Sequence, residues 1–324
     1  MSELYHRPIS QYWIIRHKGK PANQNPAIRD RRLGQFSTGD SVKNSPALTE
    51  ADIDAIYEAF IAGFSDYIIR FDMPRDRFQR HFFGPEGNSY ESSVLAFDGS
   101  EPVGLILGGI KVYEGLKTLR CGALCVIPGY RGTEVSHRLF DLHREIALEN
   151  NCSRMILEVI AGNERAINFY RKKGYEKVYD LVYYSHNDPS GINASMPAGF
   201  SVQRTDIDAL RSFSRAIRDI HINWQNDYDY TSYFDDQRYY GVFKDENMIG
   251  GLSIHSSGRI SFLWVDPGFR NSGIGGGLID HAVRELDLKR LSISFPGSGS
   301  LTGFVECLGF VKDPISQYEM YLSI

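Results

Sequence analysis

The chain has 324 residues, which at roughly 150 residues per domain implies about two domains. Its 36 basic and 40 acidic residues leave a formal charge of −4, so no basic excess marks it as a nucleic-acid binder, and 42% hydrophobic with 23% charged residues is the balance of an ordinary globular chain. No apolar run approaches the ~20 residues needed to cross a bilayer, which argues against a membrane role.

The first eight residues lack a positive segment followed by an apolar one, so a cytoplasmic location is expected. Residues 1–46, rich in Asn, Pro and Arg, form an arm that the sequence leaves unassigned. A helix is predicted over 50–60, then strands over 94–97, 103–110 and 122–127, a helix over 133–150, a strand over 154–160, a helix over 164–173 and a strand over 181–185. Residues 187–198 read as a linker, because Pro, Gly, Asn and Ser cluster where periodicity stops. A second set follows: a helix over 205–217 with Asp206 and Asp208 at the positive end of its first turn, strands over 239–243, 249–255 and 259–265, and a helix from about Gly273. In that helix Ile274, Leu278, Ala282 and Leu286 recur every fourth position, one face of a helix packed on a sheet. A strand over 291–295, a short helix ending at Gly309 and a strand over 317–322 close the chain. The four cysteines, Cys121, Cys125, Cys152 and Cys307, match neither a zinc site nor a disulfide framework and read as free thiols, with no metal expected.

The two sets are one pattern written twice. Asp52-Ile53-Asp54-Ala55 recurs at Asp206-Ile207-Asp208-Ala209, Pro128-Gly129-Tyr130-Arg131 at Pro267-Gly268-Phe269-Arg270, and Gly174-Tyr175 at Gly309-Phe310. Order is kept while the offset shrinks, as duplication followed by loop shortening would give. Two domains over 47–186 and 199–324 follow, each α+β: a mixed α/β sheet with flanking helices.

Val265-Asp266-Pro267-Gly268-Phe269-Arg270-Asn271-Ser272-Gly273-Ile274-Gly275 joins a buried strand to a helix through a glycine-rich turn, a place where main-chain amides and the helix dipole favour an anion. A Walker A loop would need a lysine after the glycines, and a dinucleotide fingerprint would need its third glycine where Leu278 stands. The spacing Val-x-Pro-x-Phe/Tyr-Arg-x-x-Gly-x-Gly/Ala resembles the acetyl-CoA pyrophosphate loop of the GNAT superfamily of N-acetyltransferases. The resemblance spans both repeats and implies two tandem GNAT-type domains. By it, Val265, Arg270, Asn271, Ser272, Gly273, Ile274 and Gly275 bind the cofactor, with Val126 and Arg131 their counterparts in the first repeat. There Glu134 replaces the first glycine of the motif, which predicts weaker coenzyme binding.

A second motif reverses the ranking. Asn163-Glu164-Arg165-Ala166-Ile167-Asn168-Phe169-Tyr170 resembles the family's Asn-x-x-Ala-x-x-Phe-Tyr, which implies that Asn163 bonds the pantetheine arm and that Tyr170 protonates the departing thiolate. In the second repeat Val305 stands where Tyr170 does and has no proton to give. The resemblance therefore implies an acetyl-CoA-dependent N-acetyltransferase acting on a primary amine of a small molecule or peptide, with a non-catalytic acyl-CoA-binding protein as the alternative. The base is not identified; Asp266, His221 and His255 are candidates, and Tyr318 or Tyr321 could replace the missing acid. Aromatics interleaved with carboxylates over 221–236 suit a cationic amine, or equally an acidic helix with its rings turned inward. In the first repeat the matching stretch mixes Arg70, Arg75, Arg77 and Arg80, which points to a different preference. The expected assembly is a monomer whose domain pair imitates a dimer, or a homodimer.

Overall fold

The structure, a computed structural model, describes residues 48–69 and 71–324; the arm and Arg70 lie outside the described residues. In chain order the first repeat carries α1 (Ile53–Gly63), α2 (Arg75–Phe82), β1 (Ser89–Asp98), β2 (Glu101–Tyr113), β3 (Leu116–Val126), α3 (Val135–Glu149), β4 (Arg154–Ile160), α4 (Glu164–Lys172) and β5 (Glu176–His186). The second carries β6 (Ser201–Thr205), α5 (Ile207–Arg215), α6 (Tyr228–Thr231), β7 (Gln237–Lys244), β8 (Asn247–His255) and β9 (Arg259–Val265). It continues with α7 (Ile274–Leu286), β10 (Leu291–Pro296), α8 (Gly299–Cys307), β11 (Val311–Lys312) and β12 (Gln317–Ser323).

These elements form two compact units. The amino-terminal unit holds the described residues up to Glu158, together with 171–176 and 320–324; the carboxy-terminal unit holds 159–170 and 177–319. In the first the strand order is β1-β2-β3-β4, antiparallel except for the parallel pair β3/β4. In the second it is β5-β10-β9-β8-β7-β6, antiparallel except for β10/β9. Strand β5, which belongs to the first repeat by sequence, pairs with β10 of the second from Leu181 opposite Pro296 to His186 opposite Leu291.

Mixed sheets with helices on both faces follow from strand alternation. On β2, Leu105 and Leu107 join the core of α1 and α2 with Ile56, Phe60 and Phe78. The alternate positions Gly104 and Gly108 lie under α3, where an added Cβ would meet Val135, Leu139 and His143. A strand buried on both sides reads as a continuous apolar run, and β2 does. In the carboxy-terminal unit α7 supplies Ile274, Leu278, Ile279 and Ala282 to a core shared with Leu252, Ile260, Leu291 and Val305. Asp206 caps α5 by accepting from the Ala209 amide at 2.8 Å, as its position before an apolar run predicts.

Four elements go beyond the sequence reading, one of them the two-residue strand β11. Helix α2 has a basic composition and only Phe78 and Phe82 to bury, at i,i+4 with ring centroids 4.7 Å apart and the rings tilted by 33°. Strand β6 is an edge strand with no buried residue and hence no alternation to detect. Helix α6 is a single turn. Cys121, Cys125 and Cys152 are buried and Cys307 exposed, all as thiols.

Candidate active site

In the carboxy-terminal unit β9 and β10 pair side by side only at Arg259/Ser292 and Ile260/Ile293. Ser261 is then skipped in the ladder between β8 and β9, where Ser253 faces Phe262 and Ile254 faces Ile260. A bulge of this kind bends its strand, and from there 261–265 and 294–296 run on without pairing to each other. The amino-terminal unit repeats the device: β3 and β4 pair from Thr118/Arg154 to Cys121/Leu157, and Gly122 is skipped opposite β2. Gly122 and Ser261 are 139 positions apart, as are Pro128 and Pro267 (261 − 122 = 267 − 128 = 139). Each repeat therefore opens a cleft between two parallel strands at the same place, with a glycine-rich turn at its rim.

The turn of the second repeat begins with a 3-10 turn, Pro267–Phe269, whose Gly268 amide is accepted by Asp266 Oδ1 at 2.8 Å. Asp266 is thus spent on the turn. Asn271 and Gly273 then take positive φ, 60° and 89°, and α7 starts at Ile274 with Gly273 as its N-cap. The first amide to bond backward is that of Gly277, to Gly273 O at 2.9 Å, so the amides of Ile274, Gly275 and Gly276 are the donors that a helix start leaves without an internal acceptor. A cradle of amides at the positive end of a 13-residue helix is suited to a diphosphate. Gly275 has a different reason to be glycine than phosphate approach: an added Cβ would press on the Phe304 ring of α8 at 3.0 Å. Gly276 and Gly277 admit Ala194 and the Met196 backbone, also at 3.0 Å.

The first-repeat turn follows the same path until its last residue. Gly132, the counterpart of Asn271, has φ 79°, but Glu134, the counterpart of Gly273, sits in the right-handed region at φ −72°. The Thr133 hydroxyl accepts the Val135 amide at 3.4 Å and itself donates to Tyr130 O at 2.6 Å. The two helix starts therefore differ in backbone as well as in charge.

Both expected cofactor arginines turn inward. Arg270 Nε donates to Val265 O and an Nη donates to Asp219, each at 2.8 Å. Asp219 also accepts from Trp264 Nε1 at 2.9 Å, and although burial pushes its carboxyl up, the bonds from Arg270 and Trp264 hold it below the usual range. Arg131 copies this, with Nε on Val126 O at 2.9 Å and both Nη atoms on Asp66, one also on Gly63 O at 2.8 Å. Asp66 and Asp219, missed in the sequence, each fall soon after the first helix of their repeat, and that shared place was the available signal.

Asn163 caps α4, its Oδ1 accepting the Ala166 amide at 3.3 Å. Tyr170 is 7% exposed, its ring edge-on to Phe169 at 5.5 Å. Both belong to the carboxy-terminal unit, whereas Val126 and Arg131 belong to the amino-terminal one. Val305, in the position of Tyr170, is fully buried in the α7/α8 core. Tyr321 bonds Glu114 and lies against Arg154, the first residue of β4.

The segment after α5 crosses the cleft. Asp219 holds Trp264 and Arg270 at the end of β9, while Asn226 Nδ2 donates to Ser294 O of β10 at 2.8 Å and Arg259 of β9 donates to Gln225 O and Asn226 Oδ1. Between them His221 Nε2 lies 2.9 Å from Glu319 Oε1, with its ring stacked on Tyr179 at 3.9 Å. The aromatics of this stretch mostly face inward: Trp224, Tyr228 and Tyr230 are buried and Tyr233 is exposed. His255 is buried with its Nδ1 accepting the Ser257 amide at 2.9 Å.

Among the described residues no helix is long and apolar enough to cross a membrane, and no group of three or more His, Cys, Asp or Glu is placed to hold a metal. The family model described as acetyltransferase (GNAT) matches residues 53–175 and 208–294. Three solved structures share the fold. A tandem GNAT protein from the clavulanic acid biosynthesis pathway is 16% identical, with TM-score 0.61 over 86% of this chain and 97% of its own. A GCN5-related N-acetyltransferase from Sphaerobacter thermophilus is 13% identical, with TM-score 0.60 over 86% and 94%. The GCN5-related glucosamine N-acetyltransferase region of a fungal multi-domain GH3 β-N-acetylglucosaminidase is 18% identical, with TM-score 0.64 over 86% of this chain and 38% of that one. Comparison with curated protein sequences finds no match.

Proposed function

Because the chain belongs to the acetyltransferase (GNAT) family, we propose that it transfers an acetyl group from acetyl-CoA to a primary amine of a small molecule or peptide, with the second repeat as the main cofactor site. The observation that carries this reading is the helix start at Gly273: left-handed backbone, unspent amides at Ile274, Gly275 and Gly276, and no acidic residue among 271–276. The coenzyme's diphosphate would take those amides together with those of Asn271 and Ser272. Its thioester would lie in the cleft beside Val265, where a main-chain donor at the strand end polarises the carbonyl and placement supplies much of the rate. Arg270 acts by holding Val265 and Asp219 in place. Asn163 and Tyr170 keep the roles that the family motif implies, pantetheine contact and acid.

Thioester aminolysis needs a neutral amine, which a buried carboxylate and histidine at the acceptor face support. The proposed location is the cytoplasm, where acetyl-CoA and free thiols coexist.

Purified protein, acetyl-CoA, a thiol-detecting dye and a panel of primary amines test the reading. The expected result is thiol release that rises with amine concentration. Release with anionic acceptors alone, or coenzyme A binding with no release from any amine, would replace it; the second outcome is the one that the buried Val305 in place of a tyrosine favours.

A further inference from the structure

We propose that Arg259 sets the acceptor class of the second repeat by binding a carboxylate, so that the acetylated amine belongs to an amino acid whose carboxylate stands several bonds from it; the assignment rests on the acetyl-transfer reading above. It starts from a difference between the repeats. Arg120 and Arg259 are 139 positions apart (259 − 120 = 139), the interval that also relates Gly122 to Ser261 and Pro128 to Pro267. Each is the next-to-last paired residue before its parallel strands part, Arg120 opposite Ile156 and Arg259 opposite Ser292. Each also holds a segment that follows the first helices of its repeat. Arg120 Nη1 donates to Glu86 Oε2 at 2.8 Å, and Arg259 Nη2 donates to Asn226 Oδ1 at 2.8 Å and to Gln225 O at 2.6 Å. Two residues beyond the facing strand position stand Glu158, ion-paired with Arg120 at 2.9 Å, and in the second repeat Ser294. The cation is thus retained while an amide and a hydroxyl replace both of its carboxylates.

Charges withdrawn from water are ordinarily paired. Arg259 is half-buried and makes no ion pair among the described residues. Its hydrogen bonds there come from Nη2, and the Tyr230 ring lies 5.3 Å from the guanidinium. Nε and Nη1 keep three N–H groups, donors from which a carboxylate takes short, charge-assisted bonds. Their place suits an acceptor. Asn226 carries the line of bonds from Arg259 on β9 to β10, its Nδ2 donating to Ser294 O at 2.8 Å and Ser294 Oγ at 3.2 Å, across the point where the strands part. Arg259 therefore lies at the closed end of the cleft, and the Gly273 turn at its rim. A molecule held by Arg259 would meet the thioester from the side away from the diphosphate. The wall between is polar: Gln237 Nε2 donates to Ser253 Oγ at 2.7 Å and to Oγ of Ser261, the bulge residue, at 3.0 Å, and its Oε1 is buried with no partner among the described residues. In the first repeat Leu107 and Gly122 take the places of Ser253 and Ser261. Six residues of strand, roughly 20 Å at 3.3 Å each, separate Arg259 from Val265. The arginine side chain spans part of that length, and an acceptor with separated amino and carboxylate groups spans the rest.

The test measures thiol release from acetyl-CoA by the full chain with 4-aminobutyrate, 6-aminohexanoate and 8-aminooctanoate, each against its own carboxamide, which keeps size and amine but lacks the charge. For at least one length the acid should exceed the amide in kcat/KM by more than about 10-fold, with the longer acids favoured over 4-aminobutyrate. Arg259→Gln should cut that excess by about 10- to 100-fold. Ser294→Glu, which restores the carboxylate that the first repeat places beside its arginine, should cut it as well with Arg259 intact. Calorimetry with coenzyme A checks that each variant is folded. An excess below about 3-fold at every length in the wild type, or one that stays within about 3-fold of the wild-type value in both variants, overturns the assignment. If Arg259→Gln does not fold, Ser294→Glu alone decides. Release with the carboxamides and no preference for the acids leaves the transfer reading standing and removes this one; no release with any amine removes the transfer reading, and the assignment with it.

Discussion

Replacing Gly273 probes the cradle directly. The residue holds φ 89° and ψ −6°, a conformation that costs an L-residue about 1–2 kcal/mol. Packing adds nothing to this, since a new Cβ would meet only Pro197 Cγ at 3.7 Å. Gly273→Ala should therefore weaken coenzyme A binding by about 5- to 30-fold, either through that strain or by letting the turn relax to the right-handed path seen at Glu134. Gly273→Glu adds a carboxylate. At about 5 Å from a phosphate charge, with an effective dielectric of about 20, repulsion is roughly 3 kcal/mol. The sum, about 4–5 kcal/mol, is a loss of more than about 10³-fold. Titration calorimetry at two ionic strengths separates the two parts, because added salt should recover part of the glutamate's loss and none of the alanine's. The reverse exchange, Glu134→Gly, should raise the coenzyme stoichiometry above one per chain. Gly273→Glu binding within about 3-fold of wild type would refute the reasoning and move the site elsewhere.

Two further predictions concern the amino-terminal unit. Burial pushes the His143 imidazole down to about 3. Between that value and the ordinary 6.5 the unfolded chain binds a proton that the native one refuses, so this contribution to stability is fully present above 6.5 and shrinks as pH falls, by about 1.4 kcal/mol per unit. Melts at pH 6.5 and 4.5 should show His143→Leu losing about 2.3 kcal/mol less than wild type over that interval; equal losses would mean that the imidazole is charged in place. Arg120 bonds Glu86 Oε2 at 2.8 Å and Glu158 Oε2 at 2.9 Å, with all three side chains 5% exposed or less. Burial alone would push the Glu86 carboxyl up, yet the Arg120 charge and the bond from His81 hold it well below the usual range. Arg120→Met strips both carboxylates of their shared cation and should cost about 3–5 kcal/mol in a denaturant melt, much of it recovered when Glu86→Gln and Glu158→Gln are added.

What could be read in advance was whatever depends on local order. The recurrence of Pro-Gly-aromatic-Arg at an interval of 139 located both turns and both arginines. The period of four in Ile274, Leu278 and Ala282 located α7, and all three are buried. Contacts between residues distant in sequence left no trace in composition or period. Arg270 stands in the expected cofactor set, and that its guanidinium is held by Asp219, 51 positions away, could not be read from the motif. That Gly275 leaves no room for a Cβ because of Phe304 could not be read from the motif either. The pairing of His221 with Glu319, 98 positions on, is a further contact of this kind. Strand β5 lies next to β10 across a duplication, a pairing that no repeat alignment would suggest.

The duplicated turns also explain how the two repeats came to differ without losing their shape. In each, the arginine ties the strand-end carbonyl to an aspartate of the segment following the first helix, so the turn's form is set by Val126, Arg131 and Asp66 or by Val265, Arg270 and Asp219. None of these contacts involves Glu134 or Gly273. The helix start is therefore free to vary while the clamp persists. A left-handed glycine there directs amides outward at a conformational cost in the free chain, whereas a right-handed glutamate avoids that cost and places a negative charge at the positive end of α3, where it is favourable. Stability alone would select the second arrangement. Retention of the first at Gly273 is what a bound anion would select, since only its binding offsets the entropy that glycine loses on folding.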